Sequence, residues 1–192
     1  MGTRNLTMVV VDGTIKVAQY GQWDGYPEGA GKTVFKFVKK IYNKKIDDFK
    51  EKVRNCRYLS NEELEAKYKE LDIDITDGLI SFDDARKFAE HYPQLDRDMG
   101  ANVLNFILDN GGCELMDNSD FMADSLFCEW AYLIDLDKEV LEVFGGMNES
   151  GKYTECRRFS SNKKDEYPVT CYSVTFEELS KMKIKEFVDN CY

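Results

Sequence analysis

Leu6-Thr7-Met8-Val9-Val10-Val11-Asp12-Gly13-Thr14-Ile15-Lys16-Val17-Ala18-Gln19 reads as a β-hairpin. Leu6, Met8 and Val10 alternate with Thr7, Val9 and Val11, and Ile15 and Val17 resume the pattern after Asp12-Gly13, a dipeptide that accepts the positive φ angles of a two-residue hairpin turn. Both faces of the first strand are largely apolar, which predicts a central place in its sheet.

Immediately downstream, Gln19-Tyr20-Gly21-Gln22-Trp23-Asp24-Gly25-Tyr26-Pro27-Glu28-Gly29-Ala30-Gly31 mixes glycines, aromatics, amides and acids between that hairpin and a helix. Core packing rarely requires such a mixture. Hairpin pairing brings Arg4 and Asn5, at the near end of the first strand, beside it. Trp23, Tyr20 and Tyr26 are suited to enclose a planar group, with Gln19, Gln22 and Asp24 on its polar edge. Arg4, Asn5, Gln19, Tyr20, Gln22, Trp23, Asp24 and Tyr26 are therefore the candidate ligand- or partner-binding residues. The competing reading is a structural loop, with Trp23 plugging the core and Arg4 paired to Asp24.

Further along, Val34, Phe37, Val38 and Ile41 lie at helical spacing within Lys32 to Tyr42. Additional helices are expected over about Asp47 to Arg57, from a Ser60 cap to about Leu71, from a Ser81 cap to about Tyr92, and from Asp96 to Asp109 before Asn110-Gly111-Gly112. Leu126 to Phe144 switches to a two-residue period, with Cys128, Trp130, Tyr132, Ile134 and Leu136 on one face. Met147 to Tyr167 is polar and rich in Gly, Ser and Lys, as expected of a mobile loop or a hairpin extension. Val169 to Val174 reads as a strand, and Thr175 onward as a helix near Leu179 or at Ile184 to Cys191. Segregated hairpins and helices predict one α+β domain over residues 1–192.

Composition limits function. At 192 residues with 43% apolar content the chain can bury a core without staples. A net charge of −10 disfavours a general nucleic-acid-binding surface. The charge is uneven: nine basic residues against three acids from Lys36 to Arg57, and nine acids against one lysine from Glu114 to Glu142. No apolar run is long enough to span a membrane, and no basic segment followed by an apolar one opens the chain, so a cytoplasmic protein is expected. The six cysteines contain no CxxC pair and His91 is the single histidine, which predicts reduced thiols and no metal centre. No cofactor is expected, and the oligomeric state is left open.

Two motifs fail on spacing. Gly29-Ala30-Gly31-Lys32-Thr33 ends like a phosphate-binding P-loop, but the required earlier glycine falls on Tyr26. Asp77-Gly78 to Asp84 matches the second half of a calcium loop, yet the first and third ligands would be Ile73 and Ile75; using Asp72 and Asp74 needs thirteen residues.

Gly2-Thr3-Arg4-Asn5-Leu6, Val17 to Pro27 with its closing glycines, Leu95-Asp96-Arg97-Asp98-Met99-Gly100-Ala101 and Glu129 to Asp137 together resemble a family of small proteins frequent in phages and mobile elements. The similarity spans about Gly2 to Phe144 and implies no catalytic residue; Lys32-Thr33 lies outside its blocks. The resemblance brings no activity with it; the expectation is a phage- or mobile-element-type accessory protein that binds a host protein or a small ligand in the host cytosol. Counter-defence inhibition, with carboxylates imitating phosphates, fits the acidity. As an alternative, Thr3, the strand, Asp12-Gly13 and Lys16-Val17-Ala18 resemble the opening of proteasome-type N-terminal-nucleophile hydrolases, which implies Thr3 as an amidohydrolase nucleophile within a layered fold. Removal of Met1 would expose Gly2, however, and the aspartate expected soon after Ala18 is displaced to Asp24.

Overall fold

A computed structural model describes residues 2–75, 79–124, 126–146, 158–159 and 169–192, the last segment by backbone alone at 169–171. The mobile loop or hairpin extension expected from Met147 to Tyr167 lies outside these residues apart from 158 and 159. So does the Asp77-Gly78 turn.

The hairpin forms as its alternation predicts. Strand β1 (Asn5–Val11) is buried throughout and pairs antiparallel with β2 (Thr14–Gly21). Asp12 and Gly13 make the turn with φ of 54° and 70°. One residue, Lys16, is bulged out between the Val9–Val17 and Val10–Ile15 pairs, so the alternation survives on both sides of the irregularity.

After the hairpin come a π-helical turn (Pro27–Gly31), then α1 (Lys32–Tyr42), α2 (Ile46–Arg54) and a two-residue strand β3 (Arg57–Tyr58). Helices α3 (Asn61–Glu70) and α4 (Phe82–His91) follow, each capped by the expected serine: Ser60 in a reciprocal capping box with Glu63, Ser81 accepting from the Asp84 amide. Helix α5 (Val103–Asn110), the short β4 (Glu114–Leu115), β5 (Trp130–Asp135), β6 (Val140–Gly145), β7 (Val169–Thr175), α6 (Phe176–Lys181) and α7 (Ile184–Cys191) complete the order. The class is α+β.

The main sheet runs β2-β1-β5-β6-β7. Neighbours pair antiparallel except β1 and β5, which are parallel and joined through the whole helical block. β1 is thus internal, as its two apolar faces predict. β3 and β4 form a separate two-stranded parallel ribbon. No second large sheet stacks on the first among the described residues, so the layering that the hydrolase resemblance implies is not seen there.

One sheet face carries Val9, Val11, Val17, Ile134, Leu141 and Val143 and buries α1, α2, α5, α6 and α7. Leu6, Met8, Val10, Ala131 and Leu133 point the other way, onto Met122 and Phe144. Two expectations are corrected. Cys128 precedes β5 and packs on this second face, while Trp130, Tyr132, Ile134 and Leu136 face the helices. The helix expected from Asp96 begins only at Val103, because Gly100 takes φ of +47°, which a right-handed helix does not accommodate. The chain instead makes short 3-10 turns at Pro93–Leu95 and Gly100–Asn102. That break places Asp98 to Asn102 against the end of the hairpin.

Candidate functional site

The helix-facing side of the sheet is apolar along most of its length but polar at one end. In register across β2, β1 and β5 stand Gly21, Asn5 and Trp130, then Gln19, Thr7 and Tyr132, then Val17, Val9 and Ile134. Asn5, Thr7 and Gln19 are at most 3% exposed. Buried polar atoms ordinarily find partners. Yet Asn5 Oδ1, Thr7 Oγ1 and Trp130 Nε1 have none, and these neighbours are three of the four such atoms among the described residues.

Over this polar end lies the loop. Asn5 Nδ2 donates to the carbonyls of Gly21 at 3.2 Å and Trp23 at 3.3 Å, which turns Oδ1 away as an uncommitted acceptor. Gly25 N–H donates to Thr3 O at 3.0 Å, Ala30 N–H to Asp24 O at 2.7 Å, and the Tyr132 hydroxyl to Gly25 O at 2.7 Å. Gln19 Nε2 donates to Asp96 O at 3.1 Å, and Gln22 N–H to Arg97 O at 3.3 Å, tying in the segment from the far side.

Glycine is required where backbones meet. A Cβ at Gly29 would stand 2.1 Å from Asp24 O, and one at Gly21 would stand 2.7 Å from Asn5 Nδ2. Asp24 itself adopts φ of 52°, a conformation that Asp and Asn tolerate better than most residues.

Between loop and segment is a cleft of about 390 Å³, lined by Asn5, Trp23, Asp24, Asp98, Met99 and Asn102, with Gly21, Gln22, Gly29, Ala30, Thr33, Gly100 and Ala101 completing its walls. The volume lies in the range of small-molecule sites. Trp23 is 54% exposed, so it is a wall of this cleft and not a plug in the core.

The candidate residues divide. Asn5, Gln22, Trp23 and Asp24 line the cleft, and Gln19 braces it from below. Arg4 and Tyr20 belong to the opposite sheet face: the Arg4 guanidinium sits 4.4 Å over the Phe127 ring, and Tyr20 meets the edge of Phe121 at 5.0 Å. Arg4 does not pair with Asp24. Burial pushes the Tyr20 phenol up, with Arg4 opposing, and its hydroxyl donates to Gln22 Oε1 at 2.7 Å. Tyr26 is exposed beside the cleft, its carbonyl accepting from Gly29 and Gly31. Thr3 is buried under the loop, where the Trp23 indole covers Gly2.

Asp98, Met99, Ala101, Asn102 and Thr33 also line the cleft, although they are not among the candidate binding residues named from sequence. The signal for the first four was Gly100, a glycine inside an otherwise helical pattern. Four stretches far apart in sequence meet around the cleft: Gly25 bonds to Thr3, Arg4 N–H to Glu129 Oε1 at 3.2 Å, Gln22 to Arg97, and Tyr132 to Gly25. Among the described residues no three His, Cys, Asp or Glu side chains gather as a metal site, and no helix is long and apolar enough to cross a membrane. Comparison of the chain with family models, with curated proteins and with solved structures returns no match.

Proposed function

We propose that this chain is a binding protein of the phage- or mobile-element accessory type, which holds a small ligand or a host-protein side chain in the Trp23 cleft. The observation that carries this reading is Asn5 Oδ1, an unpartnered acceptor on a side chain 1% exposed, in the cleft wall. A buried acceptor without a donor costs about 1–3 kcal/mol, and a ligand donor would recover it. The lining offers amides, two carboxylates and an indole; its hydroxyl, on Thr33, faces Gly29 O at 3.5 Å. These are groups suited to holding a ligand.

A second cleft, about 540 Å³ between β7 and the α6–α7 pair, supports no such reading. There Glu178 is spent capping α6, Lys181 pairs with Glu177, and Asn190 donates to the Tyr172 hydroxyl. An inhibitor of host defence machinery is the biological role most consistent with a net charge of −10 and the family resemblance.

The test is capture from host lysate, and a thermal-shift screen of small molecules, with wild type and the Trp23→Ala/Asp24→Ala double variant. Wild type is expected to enrich a partner or gain stability with a ligand, and the variant to lose it. Binding that is indifferent to both substitutions removes the cleft from the function.

A further inference from the structure

The chemistry of the cleft narrows what it accepts, given the binding role above. Two of its lining side chains, Asp24 and Asp98, are carboxylates, and none is Lys, Arg or His. Asp24 has no ion pair among the described residues, and Asp98 has only Arg97, at 4.0 Å and 68% exposed, the weakest category of contact. Asn5 Oδ1 adds a third acceptor, buried and without a donor. Beside them stands the half-exposed indole of Trp23, whose ring face attracts cations. Gly21, Gly29 and Gly100 contribute walls without side chains, so a ligand can reach the backbone closely.

We propose that the Trp23 cleft is a site for an organic cation bearing N–H donors, a primary ammonium or a guanidinium. Such a group satisfies the carboxylates by charge, Asn5 Oδ1 by hydrogen bonding and the indole by cation–π contact. An anion meets two like charges and no donor side chain with positive charge. The Gly-Lys-Thr sequence at the loop's end therefore borders a site of the opposite polarity to a phosphate cradle. A hard metal ion gains nothing from the indole, and no three His, Cys, Asp or Glu side chains gather to hold one among the described residues.

Trp23 fluorescence and calorimetry report binding directly. The probes are agmatine and putrescine, with butanol as neutral control and inorganic phosphate as anion control, each at low and at physiological salt. Saturable binding of agmatine, weakened by salt, supports the site. Asp24→Asn and Asp98→Asn should each weaken it about tenfold, near 1.4 kcal/mol. Asparagine keeps the positive φ at residue 24 accessible, so these variants retain the fold, which circular dichroism verifies.

Agmatine binding unchanged in both variants overturns the proposal, as does tighter binding of phosphate or butanol. Butanol binding that is lost in Trp23→Ala would overturn the cation while leaving a cleft-binding role intact. No saturable binding of any probe overturns the cation, and the lysate capture then decides the binding role separately. Where agmatine binds, an arginine-containing peptide more than tenfold tighter assigns the cation to a partner's side chain; equal affinity assigns it to a free amine.

Discussion

Tyr132 donates its hydroxyl to the carbonyl of Gly25 at 2.7 Å, across 107 positions of sequence. The ring is fully buried on β5, and the same hydroxyl is what a Cβ at Gly31 would meet at 3.1 Å. One side chain from a central strand thus fixes both ends of the loop's second half. Tyr132→Phe leaves the Gly25 carbonyl without that donor, with an expected loss of about 1–2 kcal/mol by chemical denaturation. Amide exchange from Gly25 to Gly31 should accelerate. Unaltered exchange in that segment would mean that the loop is held by its other contacts alone.

Gly21 and Gly13 separate two reasons for a glycine. At Gly21 an added Cβ falls 2.7 and 2.8 Å from the amide atoms of Asn5, so Gly21→Ala must displace that side chain, at about 1–3 kcal/mol. At Gly13 nothing lies within 4 Å, and the cost of Gly13→Ala is the φ of +70° alone, about 1–2 kcal/mol. The Asn5 side-chain amide resonance should move in Gly21→Ala and stay put in Gly13→Ala. Identical spectra in the two variants would contradict the packing.

Local physics was legible in the chain and distant pairing was not. Asp12-Gly13, the Ser60 and Ser81 caps and the Val34 to Ile41 stripe are short-range signals, and each element formed where they placed it. Nothing in the alternation of β1 or β5 encodes that they lie parallel and adjacent, since a buried strand looks alike beside any neighbour. Asn5 was legible as a cleft residue because hairpin register alone places it opposite Gly21. Arg4 was misplaced by the same reasoning, since proximity along a strand does not decide which face a side chain takes. The Asp98 to Asn102 wall depends on the left-handed turn at Gly100, one residue overriding a helical pattern.

The β3–β4 ribbon is held to α3 by charge. Glu114 accepts from Lys67 Nζ at 2.7 Å and from Arg57, which also reaches Glu63 at 2.7 Å. The Lys67 ammonium, helped by Arg57, holds the Glu114 carboxyl below its ordinary range. A depressed carboxyl stabilises the fold above its unfolded value, near pH 4.3, and loses that contribution as pH falls through the folded value. Glu114→Gln should therefore cost at most about 1 kcal/mol at neutral pH, since the pairs are partly solvated. Its deficit should vanish in urea titrations well below pH 4. A deficit that persists in acid would assign Glu114 a packing role.

Cys56 and Cys113 approach to 4.0 Å between sulfurs, where Arg57 N–H bonds to Cys113 O. Either sulfur can donate in this contact; with the Cys113 thiol as donor it lowers the Cys56 thiol to about 7, against the opposing effect of burial and with help from the Cys113 backbone. Cys113 is pushed up in turn, because its proton is held by the Cys56 thiolate. Cys128, buried on the other sheet face, is pushed up by desolvation. A depressed thiol gains thiolate as pH rises through the lowered value, so iodoacetamide labelling of Cys56 should reach half its maximal rate near pH 7, against about 8.5 for an unperturbed cysteine. Cys113→Ala removes the donor and leaves burial, moving that midpoint above 8.5. Labelling followed by mass spectrometry resolves the sites, with Cys128 slow throughout the range. A Cys56 profile that is the same in Cys113→Ala would show that the sulfur–sulfur contact does not govern its ionisation.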